Sequence, residues 1–387
     1  MSAPPELETL LAPETVQAWR RLSAAPSASV FQGWETAACW WRHFGQGRAA
    51  VVHTIADEGG EALCPMVATP YAVGPARVSV LEFMGAAPAE RRFSARTFGH
   101  SDINRVLGAD AALSPACAAA LQEIPGWHIA RLRNLPGTAA GFLRAWERGR
   151  GPFPGRAVQR EATLAVSLEG TWGAFMDART SGFRKRIGYL DRRLRREGVT
   201  WSLEVPAPEQ AAGCLARALE VEARSWKAGA GTSLYADPRV RAFHLDLARA
   251  LAARGRVLFA FLLRDGEPLA YEYSYVKDGT LYQYSCGFDA AYERLSPGVA
   301  LKARVLEWAF ERGFERYDML RGREPYKLLW ATHAEPQFEL AMSRGPAAAL
   351  LLRSAEAVQS VRTRVGRGRR TLLARLPARR GRAEAAA

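Results

Sequence analysis

Four side chains able to move or hold protons fall within ten residues of one another. Asp318, Glu324, Tyr326 and Lys327 lie in the stretch YDMLRGREPYKLLW, 317–330. A carboxylate at 318 or 324 can take a proton from a nucleophile, a tyrosine can give one, and a lysine can hold an anion or a developing negative charge. The Arg321–Gly322 pair between them reads as a turn. The competing reading is a structural ion-pair network that closes a sheet.

Upstream, ERLSPGVALKARVLEWAFERG places Ser296 and Pro297 at the start of a helix, as a cap and a first helical residue. Gly298 lets a ligand approach the backbone. Amides from Leu295 through Ser296, Gly298, Val299 and Ala300 would then face the gap after the preceding strand, a site suited to a phosphate or diphosphate. A well-capped helix without a ligand is the plainer interpretation.

Two further groups concern charged ligands. In SGFRKRIGYLDRRLRREG, Phe183, Ile187, Leu190 and Leu194 form one apolar helix face. The rest carries Arg184, Lys185, Arg186, Arg192, Arg193, Arg195 and Arg196. This is either a solvated surface or the seat of a polyanion. In EVEARSWKAG, Glu220, Arg224 and Lys227 are spaced for one helix face, with ion pairing along the helix as the alternative to a ligand role. Tyr271, Tyr273, Tyr275, Tyr282 and Tyr284 alternate along two strands, opposite Glu272, Ser274, Gln283 and Ser285. Packing under a helix is favoured over a stacking surface for a sugar. The six His are dispersed, so no metal site is expected, and no Ser-His-Asp or Cys-His arrangement is evident in sequence.

These groups need elements to position them. Residues 1–30 read as irregular with a short helix. GWETAACWWRHFG reads as a helix, AAVVHTIADEGGEALCPMVATPYAV as a hairpin, VSVLEFMG as a strand, LSPACAAALQEI as a helix and WHIARLRNLP as a strand. RGRGPFPGRAVQ (148–159) is a Gly- and Pro-rich connection. Beyond it come a strand at ATLAVSL, helices at TWGAFMDART and SGFRKRIGYLDRRLRREG, and the strand VTWSLEV. Two more helices follow, PEQAAGCLARALEVEARSWKAG and DPRVRAFHLDLARALAARG. Next, three strands are joined by the Asp-Gly turns RDGE and KDGT. The expected fold is α/β (α+β): two units, each a mostly antiparallel sheet flanked by helices. The boundaries are an irregular 1–30, a first domain 31–150, a second domain 160–345 and a basic tail 346–387. A distant structural duplication is consistent with the two similar halves.

Taken together, SGFRKRIGYLDRRLRREG, ARSWKAG, GFDAAYERLSPGVALKARVLEWAFERGFERYDMLRG and EPYKLLW resemble the GCN5-related N-acetyltransferase (GNAT) superfamily. The likeness is to its CelD-like, FemAB-like branch and covers roughly 160–340. Where many relatives carry an (R/Q)-x-x-G-x-(G/A) loop, ERLSPGVA has one glycine and a proline. The resemblance implies two GNAT-like units and acyl transfer from acetyl-CoA or another acyl-CoA as co-substrate, without a metal. The acceptor would be an amine or hydroxyl of a sugar or small metabolite, in extracellular polysaccharide production for CelD-like members. It assigns Asp318 or Glu324 as base, Tyr326 as acid for the leaving thiolate and Lys327 as anion or oxyanion partner. The donor would lie at Leu295–Ala300, and the acceptor near Arg184, Arg186, Arg224, Trp226 and Arg321. Two alternatives stand beside it: a FemAB-like peptidyl transferase using aminoacyl-tRNA, and a non-catalytic binding module of a polysaccharide assembly.

Composition agrees with a folded protein of 387 residues, 48% apolar and carrying a net charge of +14. Nine arginines and no acid fall in 361–382; without them the charge is +5. That tail is expected to be solvated or to touch an anionic membrane surface, and nucleic acid is unlikely as a partner except tRNA under the alternative. Five scattered Cys, an acidic and Pro-rich start, and no apolar run of membrane-spanning length point to a cytoplasmic protein, peripheral at most.

Overall fold

The computed structural model describes residues 4–87 apart from 58, 59 and 74, then residue 107, residues 121–355 and residue 357. Most of the helix expected at 113–124 and most of the basic tail lie outside these residues.

One mixed sheet of eleven strands runs through both halves, in the order β1-β2-β3-β4-β11-β5-β10-β9-β8-β7-β6. β1 (Ala49–Asp57), β2 (Gly60–Val73) and β3 (Ala76–Phe83) form an antiparallel meander, and β4 (Ile129–Leu135) pairs parallel to β3. In the second half β6 (Val199–Glu204), β7 (Val257–Arg264), β8 (Glu267–Lys277) and β9 (Thr280–Phe288) form a second meander. β10 (Arg316–Arg321) pairs parallel to β9. β5 (Gly155–Ser167) then runs antiparallel to β10, and β11 (His333–Ser343) antiparallel to β4. The two halves thus repeat one topology, and β5 and β11 join them by pairing with each other. Among the described residues the edge strand β6 has no counterpart in the first half.

Local signals explain most elements. Both Asp-Gly turns close two-residue hairpins with positive φ at each central residue: 53° and 85° at Asp265–Gly266, 45° and 72° at Asp278–Gly279. The helix α4 (Ser181–Arg196) starts where Thr180 Oγ1 accepts the Phe183 amide, and buries Leu190 and Leu194. With α3 (Trp172–Asp177) and α8 (Pro297–Glu311) it covers one sheet face. The other face of β7–β9 is covered by α2 (Trp34–Phe44), α5 (Ala211–Ala223) and α7 (Pro238–Ala252). The tyrosine ladder belongs to this second core. Tyr273 stacks on Phe259 with centroids 4.7 Å apart, Phe31 meets Tyr275 and Tyr282 edge-on, and the rings are filled by packing rather than left open.

Within 4–30, α1 (Pro13–Ala24) is the helix expected there; it buries Val16 and Trp19, and Trp19 Nε1 donates to the Gln32 carbonyl. Several expectations need correction. The connection 148–159 ends early, because β5 begins at Gly155, paired to Met342. β11 has no counterpart in the sequence reading. Pro336 and the acids Glu335 and Glu339 obscure its alternation, and Pro336 falls at an irregularity in the ladder between Glu335 and Gln337.

Glu339 is buried because charge meets it there. Arg131 donates to Oε1 from Nε (3.1 Å) and Nη2 (2.8 Å), and Arg160 to Oε2 from Nε (2.9 Å). Nearby, Arg133 pairs with Glu82. Burial alone would raise the Glu339 pKa; Arg131, Arg133 and Arg160 overcome it and hold the carboxyl at about 2. Glu82 is deeper, and burial pushes it up instead. A depressed carboxyl stabilises the fold above its unfolded pKa of about 4.5, and that contribution is lost as pH falls toward 2. Glu339→Gln should therefore cost about 3 kcal/mol at neutral pH. The gap from wild type, measured by urea unfolding, should close as pH falls from 5 to about 2.

Candidate active site

The parallel ladder between β9 and β10 holds for three pairs only, Thr280–Tyr282 with Arg316–Asp318, although β9 continues to Phe288 and β10 to Arg321. The strands part there. Two irregularities drive the separation. Leu320 has φ of 59°, where the register of β10 against β5 shifts, and Tyr284 is the extra residue where β9 shifts against β8.

The parting has two faces, and the sheet assigns the candidate residues to different ones. Tyr317 and Met319 point toward α8, so Asp318 between them points away. There Asp318 Oδ2 accepts from Arg316 Nε (3.1 Å) and Nη2 (3.0 Å), and Oδ1 accepts the Leu320 amide (2.8 Å). Burial raises its pKa, against the pull of Arg316. Asp318 thus braces the bulge at Leu320.

Tyr326 lies with the α8 side, on the short helix α9 (Pro325–Leu328), its hydroxyl 3.8 Å from Cys286 Sγ. Burial, then the Cys286 sulfur, push the Tyr326 hydroxyl far above the ordinary tyrosine range. Lys327 is buried and donates to the Arg321 carbonyl (2.5 Å), with Glu324 Oε2 3.1 Å away. It ties α9 to the end of β10. Glu324 is half exposed at the N-terminus of α9. Gly322 between them has φ of 110°, and a Cβ there would strike the Glu324 carboxyl at 2.4 Å. Arg321 reaches the other way, Nη1 donating to Asn134 Oδ1 (3.1 Å) in the first half.

The same face holds residues that carry no site role in the sequence analysis. Glu272 Oε2 accepts from Lys302 Nζ (2.8 Å), and Oε1 accepts from the Tyr317 hydroxyl (2.6 Å) and Ser274 Oγ (3.1 Å). Lys302 and Glu272 side chains are each 2% exposed. Burial lowers the Lys302 pKa, with Glu272 opposing. The signal was present: Lys302 shares a helix face with Val305, Leu306 and Ala309. Gln283 is 3% exposed, and neither its amide oxygen nor its nitrogen has a partner among the described residues. It faces the same way as Cys286, since Ser274 pairs with Gln283 and Glu272 with Cys286. Ser285 goes with Tyr271 (hydroxyl oxygens 2.8 Å apart), not with Gln283 as strict alternation would have it, because of the Tyr284 bulge.

At the start of α8, Ser296 is a left-handed residue (φ 49°, ψ 49°) and makes no side-chain cap, contrary to expectation. Its carbonyl accepts the amides of Val299 (3.1 Å) and Ala300 (3.2 Å). Among the described residues, Gly298 is left with the first-turn amide that has no backbone acceptor. Leu295 is buried just before it. Arg193 Nη1 donates to the Arg294 carbonyl (3.0 Å) beside this loop. Arg184 sits nine residues back, its Nη1 on the Asp177 and Arg179 carbonyls, and Arg186 is exposed near it. The basic helix therefore meets the loop through Arg193.

The EVEARSWKAG helix breaks after α5, and α6 (Trp226–Gly229) begins anew, so Glu220, Arg224 and Lys227 do not share one helix face. Arg224 instead binds Asp289 (2.7 Å) and the Pro268 carbonyl (2.9 Å). Lys227 Nζ donates to the Cys286 carbonyl (2.6 Å), which sets the exposed Trp226 beside the end of β9.

Residues 181–328 match the family model for the acetyltransferase (GNAT) domain. The C-terminal half thus carries a match to the GNAT domain. The matched range begins with the basic helix and ends in α9, so it takes in Glu272, Lys302 and Tyr326. The match supports an acyltransferase. Among solved structures, FemX is similar over 87% of this chain and 97% of its own, at 10% identity and a TM-score of 0.55. The C-terminal domain described as that of a lysylphosphatidylglycerol synthetase from Agrobacterium fabrum is similar over 89% and 97%, at 15% identity and a TM-score of 0.50. Identities this low establish a shared fold. No curated protein sequence matches the chain. Among the described residues no helix is long and apolar enough to cross a membrane.

Proposed function

We propose that the protein transfers an acyl group, such as acetyl, from acyl-CoA directly to an amine or hydroxyl of a saccharide or small metabolite. The parting of β9 and β10 carries this reading. It offers unpaired strand edges to the amide-bearing arm of a thioester, and ends at Cys286, Gln283 and Tyr326. The acceptor attacks the thioester carbonyl, the tetrahedral intermediate collapses, and the departing thiolate takes the Tyr326 proton. Burial keeps that hydroxyl protonated in the resting protein. Of the two carboxylates, Glu324 suits the base better: it is partly exposed beside Tyr326, whereas both oxygens of Asp318 are engaged on the other face. Gly298 and Arg193 would meet the donor's diphosphate, Trp226 and Arg224 the acceptor. Titration calorimetry should register acetyl-CoA and CoA binding at one site, with both affinities left unchanged by Tyr326→Phe. An absence of heat with either nucleotide refutes the donor assignment.

A second donor, aminoacyl-tRNA, is favoured by one observation. With the Val299 and Ala300 amides turned to Ser296, few amides remain for a diphosphate, while Arg193 of the basic helix α4 reaches the same loop. Salt-sensitive tRNA binding without CoA binding selects it.

A further inference from the structure

A cavity of about 630 Å³ lies between α4, α8, α3 and the edge strand β6, and none of the residues of the β9–β10 parting lines it. Its volume falls in the range of about 300–1,000 Å³ typical of small-ligand sites. The floor is apolar: Met176, Ile187, Leu190, Leu194, Leu262 and Ala303. The charged lining residues are Arg184, Arg195 and Arg304, with Asp191 and Glu307. Arg195 pairs with Asp191 (3.0 Å), and Arg304 pairs with Glu307 (2.8 Å) and, across from α8 to α4, with Asp191. Arg184 differs. Its bonds go to the Asp177 and Arg179 carbonyls, so its charge has no carboxylate beside it among the described residues. Trp201, 38% exposed on the sheet edge, stands at the opening.

Gly188 adds an independent argument. It sits in the middle of α4, lines the cavity, and has an ordinary helical backbone. Mid-helix glycine weakens a helix relative to alanine. Packing does not demand it here: a Cβ would meet nothing closer than the mobile end of Arg192, at 3.3 Å. Gly188 borders the cavity, and a larger side chain has room at that wall.

We propose that this cavity binds a linear acyl chain ending in an anionic head, with the chain on the apolar floor and the head at Arg184. The outward face of α4, with Lys185, Tyr189, Arg192 and Arg196 exposed, supplies a basic approach to it. The cavity shares Ala300 with the donor stretch Leu295–Ala300, and the rest of its lining lies apart from it.

The test is titration of the full chain with a monomeric bromine-labelled long-chain fatty acid, and separately with phosphatidylglycerol and phosphatidylcholine vesicles. Trp172 and Trp201 line the cavity, so their fluorescence should be quenched by the bromines with a single saturable stoichiometry. Gly188→Leu should weaken binding at least tenfold while leaving the thermal midpoint equal or higher, since leucine is the better helix former. Trp201→Leu should remove part of the quenching without removing calorimetric binding. Binding of the fatty acid identifies a free acyl anion; phosphatidylglycerol binding lost in Gly188→Leu identifies a bilayer lipid chain. No saturable binding of either, or vesicle binding that Gly188→Leu leaves unchanged, overturns the proposal.

Discussion

Tyr326→Phe should lower kcat for acyl transfer by about 100-fold, within the range for loss of a positioned general acid, while KM for the acyl donor stays unchanged. The argument rests on three facts. The hydroxyl stands 3.8 Å from Cys286 Sγ at the end of the strand parting, burial keeps it protonated, and the short helix carrying it is anchored by Lys327 to the Arg321 carbonyl. Phenylalanine keeps the ring and the packing and removes only the proton. Because the hydroxyl lies far above the usual tyrosine range, it should produce no alkaline fall in wild-type rate below pH ~10. A Tyr326→Phe enzyme with wild-type kcat would take Tyr326 out of the chemistry.

Lys302→Met should destabilise the protein by about 3–5 kcal/mol in urea unfolding, the cost of leaving one partner of a buried pair uncompensated. Glu272 would then sit 2% exposed with only Tyr317 and Ser274 hydroxyls to answer its charge. Adding Glu272→Gln should recover most of the loss, since the amide oxygen still accepts from both hydroxyls and no buried charge remains. The Lys302–Glu272–Tyr317 triad links α8, β8 and β10, which frame the parting, so the single variant should also lose activity beyond its unfolded fraction. If the double variant is no more stable than Lys302→Met, charge compensation is not what the triad provides.

The sequence by itself determined the elements whose causes are local. The i, i+3, i+4 spacing from Phe183 to Leu194 specified α4, the two Asp-Gly pairs specified the turns of β7–β9, and Asp237–Pro238 specified the start of α7. Four residue motifs were enough to identify the GNAT half, because a helix start, a turn and a strand end are each written within a few residues. Tertiary structure decided everything that depends on pairing across the chain. β11 is a strand because β5, some 180 residues earlier, and β4 flank it, and Glu339 is tolerated there only because Arg131, Arg133 and Arg160 arrive from those strands. Asp318 and Tyr326, eight residues apart, were grouped as one cluster; the pleat of β10 sends Asp318 to the opposite face from Tyr317 and Tyr326. Lys302 joined Glu272 across thirty residues, and the open space beside Gly188 exists only where α4 meets α8 and β6. Spacing along a chain records which neighbours share a face, but not which distant carboxylate, arginine or cavity that face will meet.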